Sequence, residues 1–539
     1  MATATEGRAY LGSSALSNTT TMGTSTATDC EKQQTSINTT SHANISPSED
    51  KPDPFLITYT PHDPTDPLNW PLSKKLKFTL ISCAMVFLAA LASSIFGPAA
   101  STTASEYGVS IQVMNLSVAL FVAGYAVGPL FFAPLSQLVG NAIPLFIAMF
   151  GVAVFQIPQS LATNVQTIVV SRFVQGMLGS GVLAVGSGML AEVWSVETRA
   201  IAIGLSATSM NLGSSVGPIA GSFILDRYGW RWIGWVTLLT YIGVGLLTPF
   251  TVWESSRKRI LELRAAKIRK ETGDNRYYAP SEKNRLTLGT LVQRYGKMPV
   301  QMMAQEPILI VITLYLTLVY GTLYLSYQMI PYAFQQRGWS APNASLPFIS
   351  VILGVLLAWI LVSLYTIYYW RPKLKRLGST TPEDRLPPMI LGGILLVPSL
   401  LWFAWSSRTH PSSQIIACLP LGCSLQLIFI SGVVYIIDVY MPNGNSAISI
   451  HVAVRSLVSA TFPLWGSLVY ERLGVEWMGT VLAGVGVVLA GSPVVFWVWG
   501  HRIRGWSRST SPGNGRRSIG DTWRDKGERH FPCLFFLFL

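Results

Sequence analysis

Apolar blocks of about twenty residues, parted by short polar stretches, recur along most of this 539-residue chain. That length lets a helix cross a hydrocarbon core ~30 Å thick, and lipid favours helices because it offers the backbone no hydrogen-bonding partner. Composition agrees: 50% of residues are hydrophobic and 12% charged, against about a quarter charged in soluble domains. The runs predict spans near 76–98, 113–135, 143–161, 167–191, 200–224 and 233–253, then 308–333, 346–367, 387–405, 413–438, 446–470 and 477–499. They are numbered span 1 to span 12 below.

A polar stretch over 254–306, rich in Arg and Lys from Arg257 to Lys270, divides the spans into two sets of six. The expected organisation is a disordered tail over 1–54, a first six-helix bundle over 55–253, a central loop over 254–306, a second bundle over 307–500 and a tail over 501–539. Residues 1–50 are Ser/Thr-rich and lack the apolar core of a cleavable signal, so span 1 is expected to act as its own. The net charge of +13 lies mainly in loops on one side of the spans, which argues against nucleic acid as the partner. Under the positive-inside rule that distribution puts both termini and the central loop in the cytoplasm of a multi-pass cell-membrane protein. Trp70 with Lys74, Lys75 and Lys77 reads as an interfacial anchor. Sequons at Asn18, Asn38 and Asn44 are then cytoplasmic, and Asn343, in an outer loop, is the candidate for glycosylation. Cys30, Cys83, Cys418, Cys423 and Cys533 are scattered without disulfide or zinc spacing, and the six His show no metal-ligand spacing. The apolar end from Phe531 to Leu539 is too short to span.

Charges within spans need a reason, because each costs at least ~2.5–3.5 kcal/mol on insertion scales. Arg172 lies about two turns into span 4. It either polarises a proton-carrying group or binds substrate, or it ties span 4 to carbonyls of a neighbour. His451 and Arg455, four apart on span 11, share a helical face and read as a proton-sensitive pair or as a buried tie. Asp438, ending span 10, suits an interfacial role. On span 5, Gly213, Gly217 and Gly221 form a flat stripe and Pro218 removes a backbone hydrogen bond, as a bent, closely packed rocking interface requires. Ordinary small-residue packing is the alternative. Tyr315, Tyr320, Tyr324 and Tyr327 give span 7 amphipathic surfaces for a cavity, or else pack between helices.

These pieces together resemble the major facilitator superfamily, and within it the fungal twelve-span drug:proton antiporters of the polyamine-transporter type. Gly213-x-x-x-Gly217-Pro218-x-x-Gly221 looks like that family's antiporter motif, and Arg172-Phe173-x-Gln175-Gly176 like its span 4 motif. Asp63-Pro64 to Trp70, Gly229-Trp230-Arg231-Trp232, Glu306-Pro307-Ile308, Pro382-Glu383-Asp384-Arg385-Leu386-Pro387 and Phe462-Pro463-Leu464 also match in order, from about 55 to 505. The loop after span 2 departs: it reads Ala133-Pro134-Leu135-Ser136-Gln137-Leu138-Val139-Gly140-Asn141-Ala142, without the acidic residue and two arginines of the family pattern. The resemblance implies an all-α membrane fold of twelve helices in two pseudo-symmetric six-helix bundles. It implies a gate at Gly213, Gly217, Pro218 and Gly221, and coupling through Arg172 and Gln175.

The expected activity is export of small amphipathic molecules (drugs, toxins or secondary metabolites) by proton antiport with alternating access. Coupling residues are Arg172, Gln175, His451 and Arg455, and Tyr320, Tyr324 and Tyr327 are candidate cavity lining. Proton-coupled uptake of a nutrient and a non-transporting receptor on the same fold are the alternatives. No phosphate-cradling Gly-x-x-x-x-Gly-Lys-Ser/Thr loop occurs, which argues against a nucleotide-driven pump, and no nucleophile–base cluster indicates an enzyme. The expected partners are substrate, protons and the bilayer, with the proton gradient rather than a cofactor or metal as the drive and a monomer as the working unit.

Overall fold

The computed structural model describes residues 53–283, 289–290, 293–378, 380–505 and 507. The tail expected over 1–54 lies outside the described residues except for its last two positions. Asn18, Asn38, Asn44, Cys30, Cys533, the stretch from Phe531 to Leu539 and most of 501–539 also lie outside them.

Among the described residues, ten helical segments are long and apolar enough to cross a membrane. The last of these, Gly444–Arg504, is 61 residues long and contains two spans, because Gly474 interrupts it with φ 81° and ψ 163°. Span 5, Val196–Tyr228, completes the twelve; it is a 33-residue helix whose apolar character is diluted by buried Ser206, Thr208, Ser209, Asn211, Ser214 and Ser215. The polar side chains of span 5 are enclosed by neighbouring helices, where bundles in lipid accept them. Many helices overrun their apolar cores: spans 2, 4 and 7 are Ile111–Val139, Val165–Val193 and Pro307–Gln335, each of 29 residues.

Which helices touch reveals two halves built alike. In the first half span 1 packs on span 5, span 2 on span 4, and span 3 on spans 4 and 6; in the second, span 7 packs on span 11, span 8 on span 10, and span 9 on spans 10 and 12. The same repeat shows in the backbone. Gly229, joining spans 5 and 6, has φ 82° and ψ 168°, nearly the angles of Gly474 between spans 11 and 12. A side chain at either glycine would be strained, since L-residues rarely adopt such angles. Large apolar side chains such as Phe150, Phe250 and Ile394 remain exposed on the outside of the bundles, facing where lipid would lie.

The halves meet along spans 2 and 11 and spans 5 and 8. On the face opposite the central loop, the Ser222 and Ser345 hydroxyls are 2.9 Å apart, and Gln328 donates to Asn115 at 3.4 Å. On the central-loop face Arg371, beyond span 8, pairs with Glu197 at the start of span 5 at 2.8 Å. The seam is tied at both ends.

Candidate functional site

Arg172 sits on span 4, whose first turn is capped by Asn164 accepting from the Thr167 amide at 2.8 Å. The side chain is 1% exposed. Its guanidinium donates to the Ala92 and Ser93 carbonyls of span 1 at 2.5 and 2.8 Å and lies 4.3 Å from the Phe121 ring centre on span 2. The tie to a neighbouring helix is therefore present, and the tied helix continues the polar path. The Ser93 hydroxyl accepts from Tyr324 of span 7 at 3.0 Å, crossing into the second half, and the Tyr324 hydroxyl lies 3.4 Å from that of Tyr320. The Arg455 guanidinium stands 4.2 Å from the Tyr320 ring centre and 4.9 Å from that of Phe429.

Two cations, one from each half, thus flank a pair of tyrosines at the seam. His451, one turn from Arg455, is fully buried, with Nδ1 3.2 Å from the Thr313 hydroxyl of span 7. His451 Nε2 and Arg455 Nε and Nη1 have no hydrogen-bond partner among the described residues. Leaving a buried polar atom unpaired costs about 1–3 kcal/mol, more for charged groups.

Other expected site residues lie elsewhere. Gln175 donates to the Phe155 carbonyl and to Gln159 of span 3 at 2.7 and 2.9 Å, which fixes span 4 to span 3, whereas Arg172's partners are on span 1. The glycine stripe packs within the first half: a Cβ at Gly213 or Gly221 would collide with the carbonyl oxygen of Phe87 or Ile95, and one at Gly217 with the Ser94 hydroxyl, all on span 1. Pro218 lies inside one unbroken helix. Span 5 meets the second half through other residues. Asn211 hydrogen-bonds Gln426 of span 10, which also donates to Thr208 at 3.0 Å. Tyr327 packs its ring against Phe348 and Tyr324, while Tyr315 is fully buried beside Gly393 of span 9. Asn343 is exposed in the short Ala341–Ser345 helix on the face opposite the central loop. Asp438 accepts from Arg385 at 2.9 Å.

Asn211, Gln426 and Ser93 carry no charge to single them out in the sequence. Neutral amides and hydroxyls are frequent in membrane helices, so only their meeting across the seam marks them.

The loop after span 2, stripped of its charges, is braced from outside. Glu254 accepts from the Asn141 and Ala142 amides at 3.0 and 3.3 Å, capping span 3, and Lys258 donates to the Gln137 carbonyl at 2.9 Å. The Asn141 side chain donates to Glu192 and to Ser255 at 2.8 and 3.1 Å. These central-loop residues adjoin the Arg257–Thr272 helix, which the segment before span 1 grips through Asp66–Arg257 at 2.8 Å and Asp63–Arg264 at 2.7 Å. Hydrogen bonds from Thr65, with Arg264 behind them, hold the Asp63 carboxyl below its usual range.

The description of the Major Facilitator Superfamily matches residues 82–447. A citrinin biosynthesis cluster transporter of that superfamily from Monascus ruber is 39% identical, over 87% of this chain and 95% of its own length. An ascochitine biosynthesis cluster transporter from Didymella fabae is 37% identical, over 88% and 94%. Among solved structures, the proton:xylose symporter XylE superposes with a TM-score of 0.59 at 14% identity, covering 80% of this chain and 96% of that one, which is a likeness of fold. Twelve helices in two like halves, ordered motifs and these matches agree: the chain is a multi-pass membrane transporter, not an enzyme, and belongs to the major facilitator superfamily.

Proposed function

We propose that this protein exports a small amphipathic secondary metabolite in exchange for protons, from the cytoplasm across the cell membrane, with both termini cytoplasmic and a single chain as the working unit. The observation that carries the reading is the polar path from Arg172 through Ser93, Tyr324 and Tyr320 to Arg455, enclosed at the seam where alternating access would open and close. Tyrosine rings and hydroxyls suit a partly aromatic, partly polar molecule. Relatives named for citrinin and ascochitine clusters fit that substrate class.

His451 is the proton carrier in this mechanism. Neutral, it leaves Arg455 the only cation on its turn of span 11. Protonated, it sets a second positive charge one turn away in a poorly screened interior, and the repulsion favours the arrangement that opens the pair to water. An anionic or hydroxyl-bearing substrate satisfies Arg455 in the other arrangement, so proton and substrate alternate. The drive is the proton gradient, with no cofactor.

Purified protein in vesicles, given an imposed pH gradient and a panel of metabolites including citrinin, tests this. Substrate should move against its gradient while protons move the other way. His451→Gln should retain movement down a substrate gradient and abolish proton movement. Proton flux unchanged in that variant would remove His451 from the role, and no substrate-linked proton flux in the wild type would exclude antiport.

A further inference from the structure

Beyond the last apolar turns of span 8 (Phe348–Tyr365) the helix continues through Thr366–Trp370 into Arg371–Leu377. A cavity of about 420 Å³ opens there, lined by Ile367, Arg371, Pro372, Lys375 and Arg376. Its chemistry is split along the helix. Ile367 is apolar and half-exposed, beside Tyr368, which is 76% exposed, at the level where a bilayer would end. One turn further on, three cations line the cavity and two of them share one carboxylate: Glu197 lies 2.8 Å from Arg371 and 3.8 Å from Lys375, and Arg376 has no ion pair among the described residues. Lys373, which points elsewhere, is neutralised by Asp384 at 2.5 Å.

We infer that this cavity binds the headgroup of an anionic phospholipid, with the phosphate among Arg371, Lys375 and Arg376 and the acyl chains descending past Ile367 and Tyr368. A soluble anion would use the cations but not Ile367. The surplus positive charge sits at the end of a spanning helix, where basic residues recruit acidic lipids and tyrosines settle at the headgroup level. By the orientation proposed above, on which the choice of leaflet rests, this is the cytoplasmic leaflet; the binding itself rests on the cavity alone. Arg371 also holds Glu197 of the other half, so a headgroup phosphate competes with a tie across the seam. Acidic lipid thereby loosens the central-loop end.

Native mass spectrometry of the full chain, delipidated in detergent and titrated with phosphatidylserine or phosphatidylcholine of matched acyl chains, reads this directly. The wild type should retain one phosphatidylserine with a preference of about tenfold, and Lys375→Gln with Arg376→Gln should cut that to about threefold or less. Arg376→Lys, which keeps the charge, should keep the preference and serves with a thermal melt as the folding control. Equal retention of both lipids overturns the inference, as does an undiminished preference in a folded double variant. Displacement of phosphatidylserine by millimolar inorganic phosphate would reassign the site to a soluble anion. Neither substrate nor pH gradient enters the assay, so failure of antiport in vesicles and failure of this site are separate results.

Discussion

Arg172 illustrates how one side chain serves packing and function together. Its two carbonyl contacts hold span 1 against span 4, and the same stretch of span 1 presents Ser93 to Tyr324. Arg172→Ala would leave two buried carbonyls without their donor, at about 1–3 kcal/mol each before relaxation. The expected outcome is a lower melting temperature together with loss of transport. Full transport in the variant would show that the path does not run through this residue. Asp63 belongs to the same scale and lies outside the membrane. Its carboxyl is held below the usual range, so its contribution is complete above ordinary carboxylate pKa values and is lost as pH falls through the depressed one. Amide exchange at residues 55–70 should therefore stay slow at neutral and mildly acidic pH and rise only below about pH 4. A rise already near pH 6 would mean that another group holds the segment.

At the scale of elements, the span 5 stripe is the clearest case of a motif legible in sequence whose partner was not. Three glycines four apart announce a close helix contact, and they deliver one; the neighbour is span 1 of the same half. Gly217→Val would force spans 1 and 5 apart, and overpacking of this kind costs about 1–3 kcal/mol. Because span 1 carries the Arg172 carbonyls and Ser93, the variant should lose both thermal stability and substrate binding. Wild-type melting and binding would show that the contact is slack. Gly474 makes the converse point, since nothing in the apolar pattern separates spans 11 and 12 as sharply as its left-handed backbone does.

For the whole molecule, the two halves use different braces at corresponding loops. After span 8, the Pro382–Arg385 turn keeps its charges in use: Glu383 binds Arg504, Asp384 binds Lys373 and Arg385 binds Asp438. After span 2 those charges are absent, and the central loop supplies Glu254 and Lys258 instead. Glu254→Gln combined with Lys258→Ala should therefore speed opening at this face. Cysteine labelling at the loop after span 2 would report the opening as a several-fold faster rate. An unchanged labelling rate would mean the loop holds itself.

Sequence by itself determined the class of fold, because spanning a bilayer demands about twenty apolar residues per helix and a closed backbone hydrogen-bond pattern, and both are local properties. It also determined the division into halves and the short roster of buried cations, since a charge inside an apolar run is visible without knowing its neighbours. Tertiary structure decided what those residues meet. Gln175 turned to span 3, the glycine stripe to span 1, and uncharged Ser93, Asn211 and Gln426 to the seam. Which faces of twelve helices come together depends on packing between segments a hundred or more residues apart, and no periodicity within one helix encodes its partner's identity.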